Sequence, residues 1–382
     1  MKSKYIAAIV VCLLLFPLLF YSLTIGDENE FDEFYFGVDV AYADVDKIKD
    51  LVDKVSDFTN FFVIGSTGIS HHQDKLNQTI SYLVSQGLDY SVYTGHAGRL
   101  PQINESVTPN RDSFLGIYFD DEFGGKQLDL ASHSMVRFAE NYSDAANQFI
   151  DWLRFRINAE FYINDFDLVN DSVSFLVPSD FRLITSDYAL YWFDYKAGLD
   201  VVLAQFGWNY SRQINVAQVR GAATVQGKDW GAIVAWTYRE PPYLGSGEEL
   251  FDDLVLAYEN GAKYIVVFDS DEDYTQSILA QGHLDAMERF WQYTKDHPRP
   301  SNLLDGRVAF VLPKDYGYGF RGPDDKIWGL WESDEFSRQL SVDLGFYLGE
   351  YGSKLDIIYD DDLALDDTYE EYFFWNGTVI TP

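Results

Sequence analysis

The 382-residue chain carries 61 acidic against 28 basic residues, a formal net charge of −33, with 17% aromatic residues and a single cysteine. A polyanion of this kind repels nucleic acid and anionic lipid headgroups, so neither is an expected partner of its surface. The one cysteine, Cys12, lies in an apolar run, which leaves the rest of the chain without a disulfide, a thiolate metal site or a cysteine nucleophile.

Behind Met1-Lys2-Ser3-Lys4, residues Tyr5 to Leu23 are uncharged and apolar, and acids follow from Gly26 to Glu33. Such a run makes a helix of about 28 Å, roughly the hydrocarbon thickness of a bilayer. Lysines before it and acids after it predict an N-terminus inside and the bulk of the chain outside. The run is longer than a signal-peptide core, and Tyr21-Ser22-Leu23-Thr24 is a poor cleavage site. Residues 1–25 are therefore expected to form one transmembrane anchor, leaving the protein in the cell membrane and facing outward; a cleaved segment would make it secreted. Glycosylation sequons beginning at Asn77, Asn104, Asn141, Asn170, Asn209 and Asn376 agree with export.

From Phe36 the chain repeats a short apolar run, a polar turn and a segment of helical period. The first run is Phe36 to Ala41; Asp44 then caps a helix with Val45, Ile48, Leu51, Val52 and Val55 on one face. Phe61 to Gly65 precedes a helix through Leu76, Ile80, Leu83 and Val84, and Tyr90 to Thr94 is the third run. Phe114 to Asp120 is the fourth, with a helix expected over 134–157. Residues 158–178 break the rhythm and predict an inserted β-hairpin. Phe181 to Thr185, with a helix from Tyr188, then Val201 to Phe206 and Trp230 to Thr237 continue the series. Ser246-Gly-Glu-Glu249 is a capping box ahead of Leu250, Leu254 and Ala257, and Tyr264 to Phe268 is the eighth run, followed by a helix over about 278–297. Eight strand-helix units over residues 34–297 predict an α/β fold, a (β/α)8 TIM barrel. His297-Pro-Arg-Pro300 reads as a linker. Residues 303–382 then hold a small β-α-β module expected to pack on the barrel.

Catalytic groups of such barrels sit where strands end. The fourth strand ends in Asp120-Asp121-Glu122, and clustered carboxylates raise one another's pKa, which can keep an acid protonated near neutrality. Asp39, Asp187 and Asp269 are other acids on or near the rim. Tyr118, Trp208, Trp236 and Tyr238 are rings near it, and Trp328 and Trp331 lie on a glycine-spaced loop able to reach over the mouth. Aromatic faces with carboxylates suit sugar binding, although core packing explains such rings equally well. His71, His72 and His96 follow strands two and three without a helical ligand spacing, so no metal or cofactor is assigned. Asp269-Ser-Asp-Glu-Asp273 fails as a calcium loop, since Tyr274 stands where glycine is required.

The runs FLGIYFDDEFGG, GKDWGAIVAWTYREPPY and GAKYIVVFD resemble clan A glycoside hydrolases, and the module resembles the glutamine-amidotransferase-like domain of thermophile β-galactosidases. That resemblance implies a glycosidase acting on a glycan or oligosaccharide with two carboxylates. It assigns Glu122 to the acid/base position at strand four, and Glu240, the nearest glutamate to the end of strand seven, to the nucleophile. The sequence departs from the clan where an asparagine precedes the first glutamate; Asp121 stands there instead. Glu240 also lies beyond Tyr238 in a loop, and Asp269, Asp187 and Asp39 are alternative partners, while Asp120 and Asp121 stand with Glu122 in the candidate catalytic cluster. The rival expectation is a non-catalytic carbohydrate-binding or cell-envelope protein on the same scaffold.

Overall fold

A computed structural model describes residues 34–129, 135–157, 160–161, 173–174 and 181–382. The apolar segment from Tyr5 to Leu23 lies outside the described residues, and so does Asn170. Among the described residues no helix is long and apolar enough to cross a membrane.

Eight parallel strands close into a barrel. In chain order the elements are β1 (Tyr35–Val40), α1 (Val45–Val55), β2 (Phe61–Ile64), α2 (Thr67–Ser70), α3 (Gln73–Ser85), β3 (Asp89–Thr94), α4 (Leu100–Val107) and β4 (Phe114–Phe119). There follow α5 (Phe123–Asp129), α6 (Tyr142–Ile157), the paired β5 (Glu160–Phe161) and β6 (Val173–Ser174), then β7 (Leu183–Asp187), α7 (Tyr191–Ala197), β8 (Val201–Phe206) and α8 (Arg212–Gln226). The circuit is completed by β9 (Asp229–Val234), α9 (Gly247–Glu259), β10 (Tyr264–Asp269) and α10 (Gln281–Asp296). The closed order is β1-β10-β9-β8-β7-β4-β3-β2, and β5 and β6 form a separate antiparallel pair.

Two apolar layers explain the closure. Phe61, Val63, Tyr118, Ile184, Val201, Leu203, Ile233, Tyr264 and Val266 fill the interior, while the alternate residues of the same strands face the helices. Period-two alternation thus decides which side of the wall each strand residue serves. The expected caps of α1 and α9 are present: Asp44 accepts from the amides of Asp46 and Lys47, and Ser246 pairs reciprocally with Glu249. The long helix expected over 134–157 is shorter, beginning at Tyr142, and a separate α5 precedes it. Strand five runs from Leu183 to Asp187, beginning later and ending later than its apolar run, because Thr185, Ser186 and Asp187 continue the wall as polar strand residues.

Beyond the barrel, β11 (Val308–Leu312), α11 (Glu335–Tyr351), β12 (Leu355–Tyr359), β13 (Glu371–Phe374) and β14 (Val379–Ile380) make a small sheet ordered β12-β11-β13-β14. It is joined to α8 by buried charge. Asp356 on β12 receives Arg220 of α8 at 2.7 Å, Arg307 at 2.7 Å and the Tyr369 hydroxyl at 2.9 Å. Removing Asp356 would leave two buried guanidinium groups without their counter-charge, so this cluster ties module to barrel in one register.

Candidate active site

At the C-terminal ends of the strands the inward-facing positions become polar. Asp39 follows Gly37 on the inner face of β1, Ser186 follows Ile184 on β7, and Gln205 follows Leu203 on β8. They open into two adjoining cavities of about 390 Å³ each. Asp39, Tyr93, Tyr118, Asp121, Phe268 and Tyr274 line both.

The strand-four carboxylates are presented by an unusual turn. Asp120 and Glu122 both adopt left-handed backbone, with φ of 51° and 59°. Strain of roughly 1–3 kcal/mol per such residue persists only where surroundings hold it. Here the Glu122 amide donates to Ser186 O at 2.7 Å, and the Glu122 carbonyl accepts from the Lys126 amide at 2.8 Å, opening α5. The turn is also clamped from behind, since a Cβ on Gly125 would lie 2.1 Å from the Tyr188 ring.

The three acids then have different fates. Asp120 pairs with Arg156 at 2.6 Å, which turns it toward α6. Asp121 and Glu122 both enter the mouth region, where Lys126 Nζ lies 2.9 Å from Asp121 Oδ1 and 3.4 Å from Glu122 Oε2. Gln205 Nε2 donates to Glu122 Oε1 at 3.1 Å and to Ser186 Oγ at 3.0 Å. Removal from bulk water and the charge of Glu122 push Asp121 up to about 6, against the lowering pull of Lys126. Lys126 is itself held firmly as the ammonium by the same acids, which excludes it as a neutral amine nucleophile.

Asp39 is the third mouth carboxyl. It is 5% exposed, its Oδ1 has no hydrogen-bond partner, and burial with the charges of Asp121 and Asp269 raises its pKa well above the usual carboxylate range. Burial of this kind favours the protonated form, the form that can give a proton.

Tyr118, Trp208 and Trp236 line the mouth as expected. Other candidates named from the sequence stand elsewhere, for identifiable reasons. Glu240 is exposed in the loop after β9 and lines neither cavity, because the chain has already left the barrel wall at Val234. Tyr238 shares that loop, 47% exposed, and also lines neither cavity. Asp187 and Asp269 follow the inward Ser186 and Phe268, so alternation turns them outward into the buried layer. There Asp187 accepts four amides, from Gly124 at 2.6 Å, Gly125 at 2.8 Å, Tyr188 at 2.7 Å and Ala189 at 3.2 Å. Asp269 accepts from Ser277 Oγ at 2.9 Å and the Ile278 amide at 2.7 Å. Both close loops rather than meet a ligand. Trp328 is fully buried between Phe149 and Phe193, its indole N–H donating to Asp315 O at 2.9 Å. Trp331 packs edge-on against Tyr142, so the glycine-spaced loop joins module to barrel instead of covering the mouth.

Sequence reasoning overlooked Lys126, Ser186, Tyr93, Phe268 and Tyr274. Lys126 was legible as the residue one helical turn beyond Glu122, and Tyr93 and Phe268 as inward positions by alternation. Tyr274 stands on a loop that only the tertiary fold directs over the mouth. Among the described residues no group of three or more His, Cys, Asp or Glu side chains could hold a metal; His71 and His96 lie with rings 6.2 Å apart.

No protein-family model matches the chain, and no curated protein matches it. Similar solved structures include an endo-β-1,4-mannanase from Thermotoga petrophila, 10% identical, covering 71% of this chain and 79% of that one at a TM-score of 0.39. An HpcH/HpaI aldolase from Desulfitobacterium hafniense DCB-2 is 12% identical, covering 62% and 87% at a TM-score of 0.35. A truncated 3-deoxy-D-arabino-heptulosonate 7-phosphate synthase from Thermotoga maritima is 7% identical, covering 69% and 88% at 0.38. At this level of similarity no residue role and no activity carries over.

Proposed function

We propose that the barrel mouth binds a glycan and hydrolyses its glycosidic bond, in a chain tethered by its N-terminal apolar segment and facing out of the cell. The observation that carries this reading is the convergence of Asp39, Asp121 and Glu122 in one cavity system walled by Tyr93, Tyr118, Trp208 and Trp236. Glycoside hydrolysis asks for two carboxyl groups in opposite protonation states beside rings that stack on sugar faces. Asp121, raised to about 6, suits proton transfer to the leaving oxygen. Glu122, holding hydrogen bonds or ion pairs from Gln205 and Lys126, suits the anionic partner that faces developing positive charge. Asp39 supplies a further carboxyl, shifted by burial toward its protonated form, in reach of the same space. In this reading Glu122 takes the anionic role that the resemblance gave to Glu240, and Asp121 takes the acid role that it gave to Glu122.

Lys126 favours a second reading. A cation bridging Asp121 and Glu122 is also what a non-catalytic sugar-binding pocket would use to neutralise its acids. Incubating the protein with cello-, chito- and malto-oligosaccharides and measuring new reducing ends separates the two. Hydrolysis predicts turnover in the wild type that falls by about 10²-fold or more in Asp121→Asn and in Glu122→Gln. Binding without turnover selects the sugar-binding barrel, and neither binding nor turnover removes the glycan reading.

Export is supported by surface placement of the sequons: Asn77, Asn104, Asn141, Asn209 and Asn376 are all exposed. Mass spectrometry of the intact chain tests tether and glycans together. A mature N-terminus near Thr24 to Glu28 would replace the anchor with secretion.

A further inference from the structure

Tyr274, on the loop between β10 and α10, forms part of the wall of both cavities. Its backbone is left-handed, with φ of 54°, a region that bulky side chains avoid. The side chain is nevertheless 55% exposed, so burial does not offset the strain.

The loop that carries it is firmly built. Asp271 accepts from the Thr275 amide at 2.7 Å and hydroxyl at 2.8 Å, Lys47 Nζ donates to Thr275 O at 2.9 Å, and Asp269 closes the far side through Ser277 and Ile278. The backbone that presents Tyr274 is therefore held on both sides of the residue. Partial burial and the charges of Asp121 and Glu122 push its hydroxyl pKa up, so it faces the mouth acids as a neutral donor.

Of the six residues common to the two cavities, Tyr274 alone stands on the loop after β10, and the residues that each cavity has to itself differ in chemistry. One adds the rings of Trp208 and Trp236 together with Gln205, Ser186 and the Glu122–Lys126 ion pair. The other adds Ala41, Ala43, Gly65, Ser66 and Thr67, a slimmer wall of small side chains and hydroxyls with no ring of its own. A single sugar ring would use one of them and leave the other unfilled.

Resting on the glycan reading above, we infer that Tyr274 is a specificity-determining residue that divides the mouth into two adjoining sugar subsites, and that the ligand is a linear oligosaccharide of at least two rings whose linkage passes beneath it. The side with Trp208 and Trp236 takes one ring. The hydroxyl-lined side holds its neighbour edge-on, and the linkage between them lies at Asp121, which borders both.

The test is calorimetric titration of the full-length protein, kept in a detergent without a sugar headgroup, with cello-, chito- and malto-oligosaccharides of one, two and four residues. In at least one series the wild type should bind two rings more tightly than one. Tyr274→Gly, which relieves the left-handed strain, should keep or raise Tm while weakening two-ring binding by roughly three- to tenfold, the worth of an aromatic contact. Tyr274→Phe should retain most of the affinity. Wild-type binding that does not grow from one ring to two overturns the two-subsite inference alone. So does a Tyr274→Gly variant with lowered Tm and unchanged two-ring affinity, which would make the ring structural. Failure of the wild type to bind any of the three series removes the glycan reading and this inference with it.

Discussion

Gln205 Nε2 donates to Glu122 Oε1 across 3.1 Å while also holding Ser186 Oγ, so one amide joins the ends of β4, β7 and β8 at the carboxylate. Its own main chain is fixed separately, by Asn215 donating to Gln205 O at 2.9 Å. Side-chain and backbone roles can therefore be separated by mutation. A hydrogen bond to a charged group is worth about 1.5–3 kcal/mol, so Gln205→Ala should lower turnover on oligosaccharides by about tenfold to a hundredfold. Thermal unfolding should move little. A large fall in Tm with unchanged turnover per folded molecule would show that Gln205 supports the wall and not the acid.

The state of Asp121 sets a pH dependence. With its pKa at about 6 in the fold, activity requiring the protonated acid should decline as pH rises through that value. Lys126 opposes the rise, so Lys126→Met should move the alkaline limb upward. The linked stability effect has a definite sign. A carboxyl raised in the folded state contributes fully below its unfolded pKa, near 3.9, and that contribution is lost as pH climbs toward 6. Asp121→Asn should flatten this part of the stability curve, and a pH series of denaturant melts would reveal a wrong sign at once.

Asp194 follows the same rule with the same sign, away from the mouth. It is fully buried on α7 beside Asp187, and burial together with the Asp187 charge raises its pKa well above the usual range. Burial pushes Asp187 up to about 7 against the lowering pull of four amides, whereas no amide offsets the rise at Asp194, which holds its proton the more firmly of the two. Keeping that acid neutral costs stability wherever the unfolded chain would ionise it. Asp194→Asn, an isostere of the neutral form, should therefore stabilise the protein at pH 7 by about 1–3 kcal/mol and show little gain near pH 3.5. Destabilisation at both values would mean that Asp194 works as an anion.

Trp328 and Trp331 separate core from rim in the joining loop. Trp328→Ala removes a fully buried ring packed on Phe149 and Phe193 and should cost about 3–5 kcal/mol. Trp331→Ala, on a half-buried ring against Tyr142, should cost visibly less. Neither should change the affinity of folded protein for oligosaccharides, since neither ring lines the mouth. A selective loss of affinity in either variant would return that loop to the ligand surface.

What the amino-acid sequence determined by itself was the repeat. Apolar runs alternating with helical segments dictate a parallel wall with outer helices, and the caps at Asp44 and Ser246 are local enough to be read directly. Even the Asp120-Asp121-Glu122 cluster was visible, because it ends a strand. Only the tertiary structure decided which carboxyl groups meet. Asp187 and Asp269 look like Asp39 in composition, yet a one-residue difference in phase turns them to the buried outer layer, where amide donors claim them. Glu240 sits near a strand end in sequence, but β9 stops at Val234 and the loop carries the acid away. Trp328, expected on a loop over the mouth, is buried, and Tyr274, to which no site role was given, reaches the mouth, for a similar reason. A loop residue's surroundings depend on where distant elements pack, and the periodicity of local sequence contains no record of that.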